Sequence, residues 1–165
     1  MKKTSMAANN EYPLTGYRFV INFEGAKTLG NKATDGSDAS FQEISGISAE
    51  IPVEEIQEGG ENRFVHRLPQ PIRYSNLILK RGLTQKTSEL TNWCKTTMEG
   101  GLRKPIELKQ VVVQLLDEEN KPVLGWSFLN AYPVKWEYSA LEASKGDIFI
   151  QTVELSHQGF VELDM

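Results

Sequence analysis

The sequence predicts a mainly β domain, a barrel or sandwich of about seven or eight mostly antiparallel strands with one flanking α-helix. Three observations predict it. Short runs of alternating apolar and polar residues, rich in Val, Ile, Phe and Tyr, recur along the chain. Turns containing Gly, Asn or Pro separate these runs at short intervals. Only one segment repeats its apolar residues with helical spacing.

In chain order, the first ten residues are polar and read as a flexible tail, leaving 11–165 as a single domain with no internal repeat or linker. Tyr17, Phe19, Ile21 and Phe23 alternate on one face of a strand that stops at Gly25. Residues 26–40 are a polar loop rich in Gly, Ser and Asp. A second β region runs from Phe41 to Ile56, broken at Ser45-Gly46, where a glycine inside a strand signals a bulge or bend. Glu58-Gly59-Gly60-Glu61 reads as a hairpin tip, and Asn62–Leu68 as the return strand, ended by Pro69-Gln70-Pro71. Ser75–Arg81 is a further strand. Ser88–Met98 is the helix: Leu90, Trp93, Cys94 and Met98 form an apolar stripe, Thr87 or Ser88 caps its start, and Gly100-Gly101 stops it. Ile106–Leu116 and Val123–Leu129 flank the turn residues 117–122 as a β-hairpin. Val134–Tyr138 and Ile148–Leu155 complete the strands, with Lys145-Gly146-Asp147 as a turn.

Composition narrows the function classes. Of 165 residues, 43 are Leu, Ile, Val or Phe, enough for a folded core. The formal net charge of −4 argues against a protein that wraps duplex nucleic acid. A single cysteine, Cys94, allows no intrachain disulfide and fits synthesis in a reducing cytoplasm. The N-terminus carries Lys2-Lys3 but no apolar h-region, and no run of about 18 apolar residues spans a membrane.

No catalytic or metal-binding constellation emerges. Residues 25–32 imitate phosphate-loop spacing, yet Asn31 stands where the phosphate-reaching lysine belongs and Lys32 where the Mg²⁺-binding hydroxyl belongs, so a plain loop is the better reading. Asp35, Ser37 and Asp38 suggest a calcium loop, but the later ligand positions hold Ala39 and Gly46. Asp117-Glu118-Glu119 reads as an exposed turn. His66 and His157 lie far apart, and Ser156 beside His157 points to the opposite face of a strand. Cys94 sits on the apolar helix face and reads as packing. The basic pairs Lys2-Lys3, Lys80-Arg81 and Arg103-Lys104 lack the aromatic ladder of a single-strand-binding groove. No cofactor is expected.

The unusual feature is the long hairpin Phe41–Leu68, which presents edge hydrogen-bonding groups and apolar residues beyond what one small barrel covers. It reads either as a surface hairpin folded onto its own barrel or as an arm that pairs with a neighbouring subunit.

An ordered series of patterns carries a family resemblance. It comprises Tyr12-Pro13-Leu14, Phe41-Gln42-Glu43-Ile44-Ser45-Gly46-Ile47, Glu58-Gly59-Gly60, Leu68-Pro69, and Leu77-Ile78-Leu79-Lys80-Arg81-Gly82. Trp93 and Leu116-Asp117-Glu118 follow. The most distinctive stretch is residues 126–136, from Trp126 to Trp136, and Glu154-Leu155-Ser156-His157-Gln158-Gly159 closes the series. Over about residues 11–162 the chain resembles the inner-tube protein family of contractile phage tails and phage-tail-like injection systems. The 26–40 stretch is longer than usual for that family. The resemblance implies hexameric rings that stack into a hollow tube and act as a conduit for cargo. It also implies a sheath protein, baseplate or tube-initiator proteins and tube-terminator proteins as partners. The subunit is then made in the cytoplasm and built into a phage tail or injection particle that is released from the cell. A tube-initiating or baseplate paralogue of the family and a stand-alone ligand-binding barrel are the alternatives.

A ring needs a heterologous interface whose rotation closes, and the edges of one sheet can pair with the next subunit's to make a continuous inner barrel. The candidate inter-subunit residues are Glu43, Ile51, Val53, Ile56, Glu58, Gly59, Gly60, Phe64, Lys80 and Arg81. Hairpin Glu50–Leu68 is the candidate assembly element.

Overall fold

A computed structural model of the chain describes residues 18–23, 41–57, 64–82, 88–140 and 148–164. The 1–10 tail, the 26–40 loop, the phosphate-loop mimic, the Glu58–Glu61 tip and the Lys145–Asp147 turn lie outside these residues.

Alternation sets the first strand. In β1 (Arg18–Phe23), Ile21 and Phe23 are buried while Arg18 and Asn22 are exposed. The second β region divides into β2 (Phe41–Ser45), β3 (Ala49–Glu50) and β4 (Val53–Ile56). Its return divides into β5 (His66–Pro69), β6 (Arg73–Tyr74) and β7 (Leu77–Gly82). These six segments form one interrupted antiparallel ladder: β2 pairs with β7, β3 with β6, and β4 with β5. Backbone bonds bridge the interruptions, Ser75 N–H to Ser48 O at 3.2 Å and Gln70 N–H to Pro52 O at 2.8 Å.

Helix α1 (Glu89–Gly100) forms as its stripe requires. Ser88 is the N-cap and its Oγ accepts from Thr91 N–H at 3.1 Å, while Leu90, Trp93 and Cys94 are buried. A short 3-10 turn, Gly101–Arg103, follows. The predicted strand Ile106–Leu116 begins later, as β8 (Lys109–Leu116). The two predicted strands Val123–Leu129 and Val134–Tyr138 are one, the 17-residue β9 (Pro122–Tyr138). Asn130 makes this possible by adopting positive φ (51°), which turns the chain without ending the strand. β10 (Ile150–Ser156) and β11 (Gly159–Asp164) complete the fold, giving eleven strands among the described residues against the seven or eight expected. The added strands include two-residue pieces and β11, whose inward positions alternate Phe160 with Glu162 and so carry little apolar pattern.

β9 belongs to two four-stranded antiparallel layers. Its first half lies between β8 and β11, with β1 beyond β8; its second half pairs with β10, followed by β7 and β2. One core joins both layers and the helix: Ile21, Phe23, Val111, Val113 and Phe128 from the first, Leu77, Leu79, Val153 and Leu155 from the second, and Leu90, Trp93 and Cys94 from α1. Trp93 meets Phe23 edge-on at 6.0 Å and donates its indole N–H to Glu107 O at 3.0 Å.

The arm leaves the second layer at Gly46, whose φ is +89°, and a Cβ there would lie 1.9 Å from Asn76 O. Only glycine fits this bend. Gly46→Ala is therefore expected to cost about 3 kcal/mol and lower the melting temperature by roughly 6–12 °C. Calorimetry showing an unchanged midpoint would remove Gly46 as the hinge of the arm.

Candidate assembly surfaces

The outer part of the arm is a two-stranded ribbon that has, among the described residues, no layer against either face. Every residue of β4 and of β5 is exposed. Register pairs Glu54 with Leu68 and Ile56 with His66, so Phe64, Leu68 and Ile56 lie on one face. Phe64 packs edge-on against His66 at 5.2 Å. The other face carries Val53 and the ion pair Arg67 Nη2–Glu55 Oε1 at 2.8 Å. Of the sequence candidates, Ile51, Val53, Ile56 and Phe64 are 42–56 % exposed. Glu58, Gly59 and Gly60 lie outside the described residues. Leu68 (47 %) and Ile72 (52 %) are exposed as well.

The arm's root is built differently. Tyr74 meets Phe160 at 5.7 Å and His157 at 6.0 Å, and Phe128 packs on His157 at 4.9 Å. His157 Nε2 lies 2.9 Å from Ser75 O. A Cβ on Gly159 would reach within 3.2 Å of the Tyr74 ring. This aromatic cluster ties the root to β9 and β11.

Glu43 and Lys80 do face each other, paired at 2.9 Å on the exposed side of the second layer. Arg81 is placed elsewhere: it is only 6 % exposed. Its Nε donates to Gln151 Oε1 at 2.7 Å, its Nη2 donates to Thr91 Oγ1 at 2.6 Å and also to Ser88 Oγ, and its guanidinium stacks over Phe41 at 5.6 Å. It binds β7 to β10 and to the start of α1, inside the subunit. Alternation carried the signal: Arg81 shares parity with Leu77 and Leu79, so it points inward with them.

The second layer has two strand edges without a strand beside them among the described residues, β2 and the second half of β9. Its inward face bears Leu77, Leu79, Gln151, Val153 and Leu155. Its opposite face bears Glu43, Lys80, Thr152, Glu154, Lys135 and Glu137. Among the described residues no group of three His, Cys, Asp or Glu could hold a metal, and no helix is long and apolar enough to cross a membrane. Cys94 is buried in the core.

Two expectations follow from these placements. Arg81→Ala removes charge-assisted bonds inside the fold and strands Gln151, so it should cost about 3 kcal/mol. Lys80→Ala, which breaks an exposed pair, should stay within about 0.5 kcal/mol. Urea denaturation of both variants measures the contrast, and equal losses would contradict it. Burial holds the His157 imidazole below the ordinary histidine value of 6.5, against backbone bonds to Ser75 and Gly159 that raise it. The folded state thus prefers neutral His157, so its contribution is present above pH 6.5 and fades as pH falls below it. The melting temperature of His157→Gln should decline less steeply between pH 7 and 5 than that of the unaltered protein, a range set by this lowered value. Parallel slopes would show that His157 does not titrate in the cluster.

Comparison with known proteins identifies the family. Residues 15–161 match the model of the T4-like virus tail tube protein gp19 family. No curated protein sequence matches the chain. Among solved structures, a chain of the anti-feeding prophage (AFP) baseplate, 6-fold symmetrised, is 30 % identical, with TM-score 0.78 over 93 % of this chain and 97 % of that one. A chain of the PVC sheath-tube complex, from an extracellular contractile injection system in its extended state, is 21 % identical, with TM-score 0.73 over 94 % and 95 %. A chain of the AFP tube-terminating cap is 20 % identical, with TM-score 0.72 over the full length of both. The chain belongs to the T4-like tail tube protein family and is a structural tube subunit, not an enzyme.

Proposed function

We propose that six copies of this chain close into a ring through the free edges of the second layer, and that rings stack through the arm into a hollow conduit. The observation that carries this reading is the arm: a two-stranded ribbon exposing Ile51, Val53, Ile56, Phe64 and Leu68, with no other described element over either face. Isolated ribbons of this kind are marginal in water, and contiguous apolar surface marks an interaction site. Glu58, Gly59 and Gly60 extend the same element in sequence.

Ring closure is supported by strand direction. The pairs β9–β10, β10–β7 and β7–β2 are all antiparallel, so β2 and β9 run in opposite directions. Setting β2 of one copy beside β9 of the next continues the alternation without a break. Six such sheets make a closed barrel with a circumference of about 115 Å, hence a backbone diameter of about 37 Å, at the usual spacing of ~4.8 Å per strand. Closure also removes the exposed edges that otherwise invite aggregation. Glu43 sits on the edge strand at the seam, Lys80 pairs with it from the next strand inward, and Arg81 braces β7 against β10 and α1 within the subunit.

Sheath, baseplate and terminator proteins are the proposed partners, because the similar chains come from a sheath-tube complex, a baseplate and a tube-terminating cap. Cargo passes along the bore, and the subunit travels as part of a phage-tail-like particle released from the cell. One observation favours a second reading, a tube-initiating subunit: the baseplate chain shares 30 % identity, the sheath-tube chain 21 %. Unseeded protein that stops at single or double rings would select the initiator, and long unseeded tubes the main tube subunit.

The combined change Val53→Ser, Ile56→Ser and Leu68→Ser should leave the melting temperature of the subunit within a few degrees, since all three side chains are exposed. It should lower tube yield at least tenfold, since losing a contact of about 2 kcal/mol is a factor of roughly thirty in each association constant. Circular dichroism reports the fold and negative-stain microscopy the tubes. Long tubes at normal yield would show that the arm does not drive assembly.

A further inference from the structure

The two faces of the second layer differ in kind, and closing the layer into a ring decides which one meets the bore. The face bearing Leu77, Leu79, Val153 and Leu155 is covered by its own subunit's core. Only the opposite face remains to line a channel. Register places Glu43, Lys80, Thr152 and Glu137 in one row across β2, β7, β10 and β9, and Ser45, Ile78, Glu154 and Lys135 in the next.

Both lysines of this face are tied to carboxylates. Lys80 Nζ lies 2.9 Å and 3.0 Å from the two oxygens of Glu43. Lys135 Nζ lies 2.8 Å from Glu137 Oε2, and Glu154 stands opposite it in the register. The hydrogen bond to Glu137, then the charge of Glu137 and last that of Glu154, raise the affinity of Lys135 for its proton against a smaller opposing effect of burial. Glu154 Oε1 accepts from Asn76 Nδ2 at 2.7 Å. Two lysines against three glutamates leave one net negative charge per subunit, spread among neutral Ser45, Ile78 and Thr152.

We propose that this paired, nearly neutral face is the wall of the bore, and that the conduit therefore admits cargo by size and not by charge. The proposal rests on the ring reading above and goes beyond it by naming the wall and the cargo it tolerates. A wall whose cations, among the described residues, are both paired with carboxylates does not condense on a polyanion. A wall whose carboxylates are shared with lysines grips a basic polypeptide only weakly at physiological salt, where exposed charges are screened within about 8 Å. The cargo that fits is a folded polypeptide of either net charge, narrower than the bore and not held by it.

The test uses assembled tubes of the full chain at 150 mM salt, with gold clusters about 2 nm wide coated in ammonium or carboxylate groups, sizes and salt being chosen from the screening length and bore above. Cryo-electron microscopy counts clusters per tube length after washing. Unaltered tubes should retain both kinds equally and sparsely. Lys80→Glu, on an interior strand away from the seams, should raise retention of ammonium clusters inside the bore at least tenfold. Glu154→Lys, likewise interior, should do so for carboxylate clusters. Clusters bound on the outer wall in either variant, or strong retention of one kind by unaltered tubes, would overturn the proposal. Failure of both variants to assemble while the unaltered chain forms tubes would also overturn it, because Lys80 and Glu154 lie on the interior strands β7 and β10, which take no part in the edge pairing. Failure of the unaltered chain to form rings or tubes would instead sink the ring reading itself.

Discussion

Strand β9 is the constraint on which the rest of the subunit depends. It is the one strand shared by both layers, and the change of layer occurs between Phe128 and Ala131, both completely buried. Asn130 takes up the turn at positive φ, its side-chain amide donates to Gln158 Oε1 at 2.7 Å, and Gln158 N–H donates to Leu129 O at 3.0 Å. A residue with a branched β-carbon would resist this conformation. Because one continuous strand serves both layers, their mutual angle is built into the backbone and is not left to side-chain packing. A second irregularity lies further along the strand: Glu154 pairs with Lys135 and Leu155 with Pro133, so Val134 of β9 is the extra residue of a bulge, and the strand keeps β10 as its partner across it. The space between the layers is then filled by Trp93, Leu90 and Cys94 of α1, and Arg81 locks that helix to β7 and β10.

With the interior so determined, the exposed strand edges of the second layer and the arm are what remains outside. A free edge and an apolar ribbon would be hazards on a solitary protein. Here both carry deterrents. The ribbon intersperses Glu54, Glu55 and Arg67 among its apolar residues, and the edge strands β2 and β9 carry Glu43, Lys135 and Glu137. A stray strand or apolar surface must desolvate these charges in order to bind.

Much of this organisation was legible in the sequence, and the failures share causes. The alternation of β1, the apolar stripe and Ser88 cap of α1, the 117–122 turn and the break at Gly46 each follow from local rules that tertiary contacts did not override. The unity of β9 was not legible. Asn130 and Pro133 are turn residues in isolation, and only the partners on both sides convert them into a bend and a bulge. Arg81 was misplaced for a related reason: its charge was weighed above its parity, although burial becomes acceptable once Gln151, Ser88 and Thr91 converge on it from distant elements. The apolar arm residues were legible as excess surface because no alternation in 51–68 offered a core for them. The aromatic root was not, since Tyr74, His157 and Phe160 meet only after β6 and β11 exist.

Separating the two surfaces has a consequence for assembly. In the proposed assembly edge pairing acts within a ring and the arm between rings, so each is a modest contact at the level of one pair of subunits. A stacking contact of about 2 kcal/mol is far too weak to hold two monomers together at micromolar concentration, where roughly 8 kcal/mol is needed. Six such contacts engaged at once by a closed ring supply about 12 kcal/mol before the cost of immobilisation, because only the first association is bimolecular. The order of events is thereby fixed by valency: rings or a ring-shaped template come first, and stacking follows. A monomer with an intact arm remains dispersed until the edges close. The rigidity of the arm's root matters for the same reason, because six arms add only if all six point the same way, and the Gly46 bend and the Tyr74–His157–Phe160 cluster set that direction in every copy.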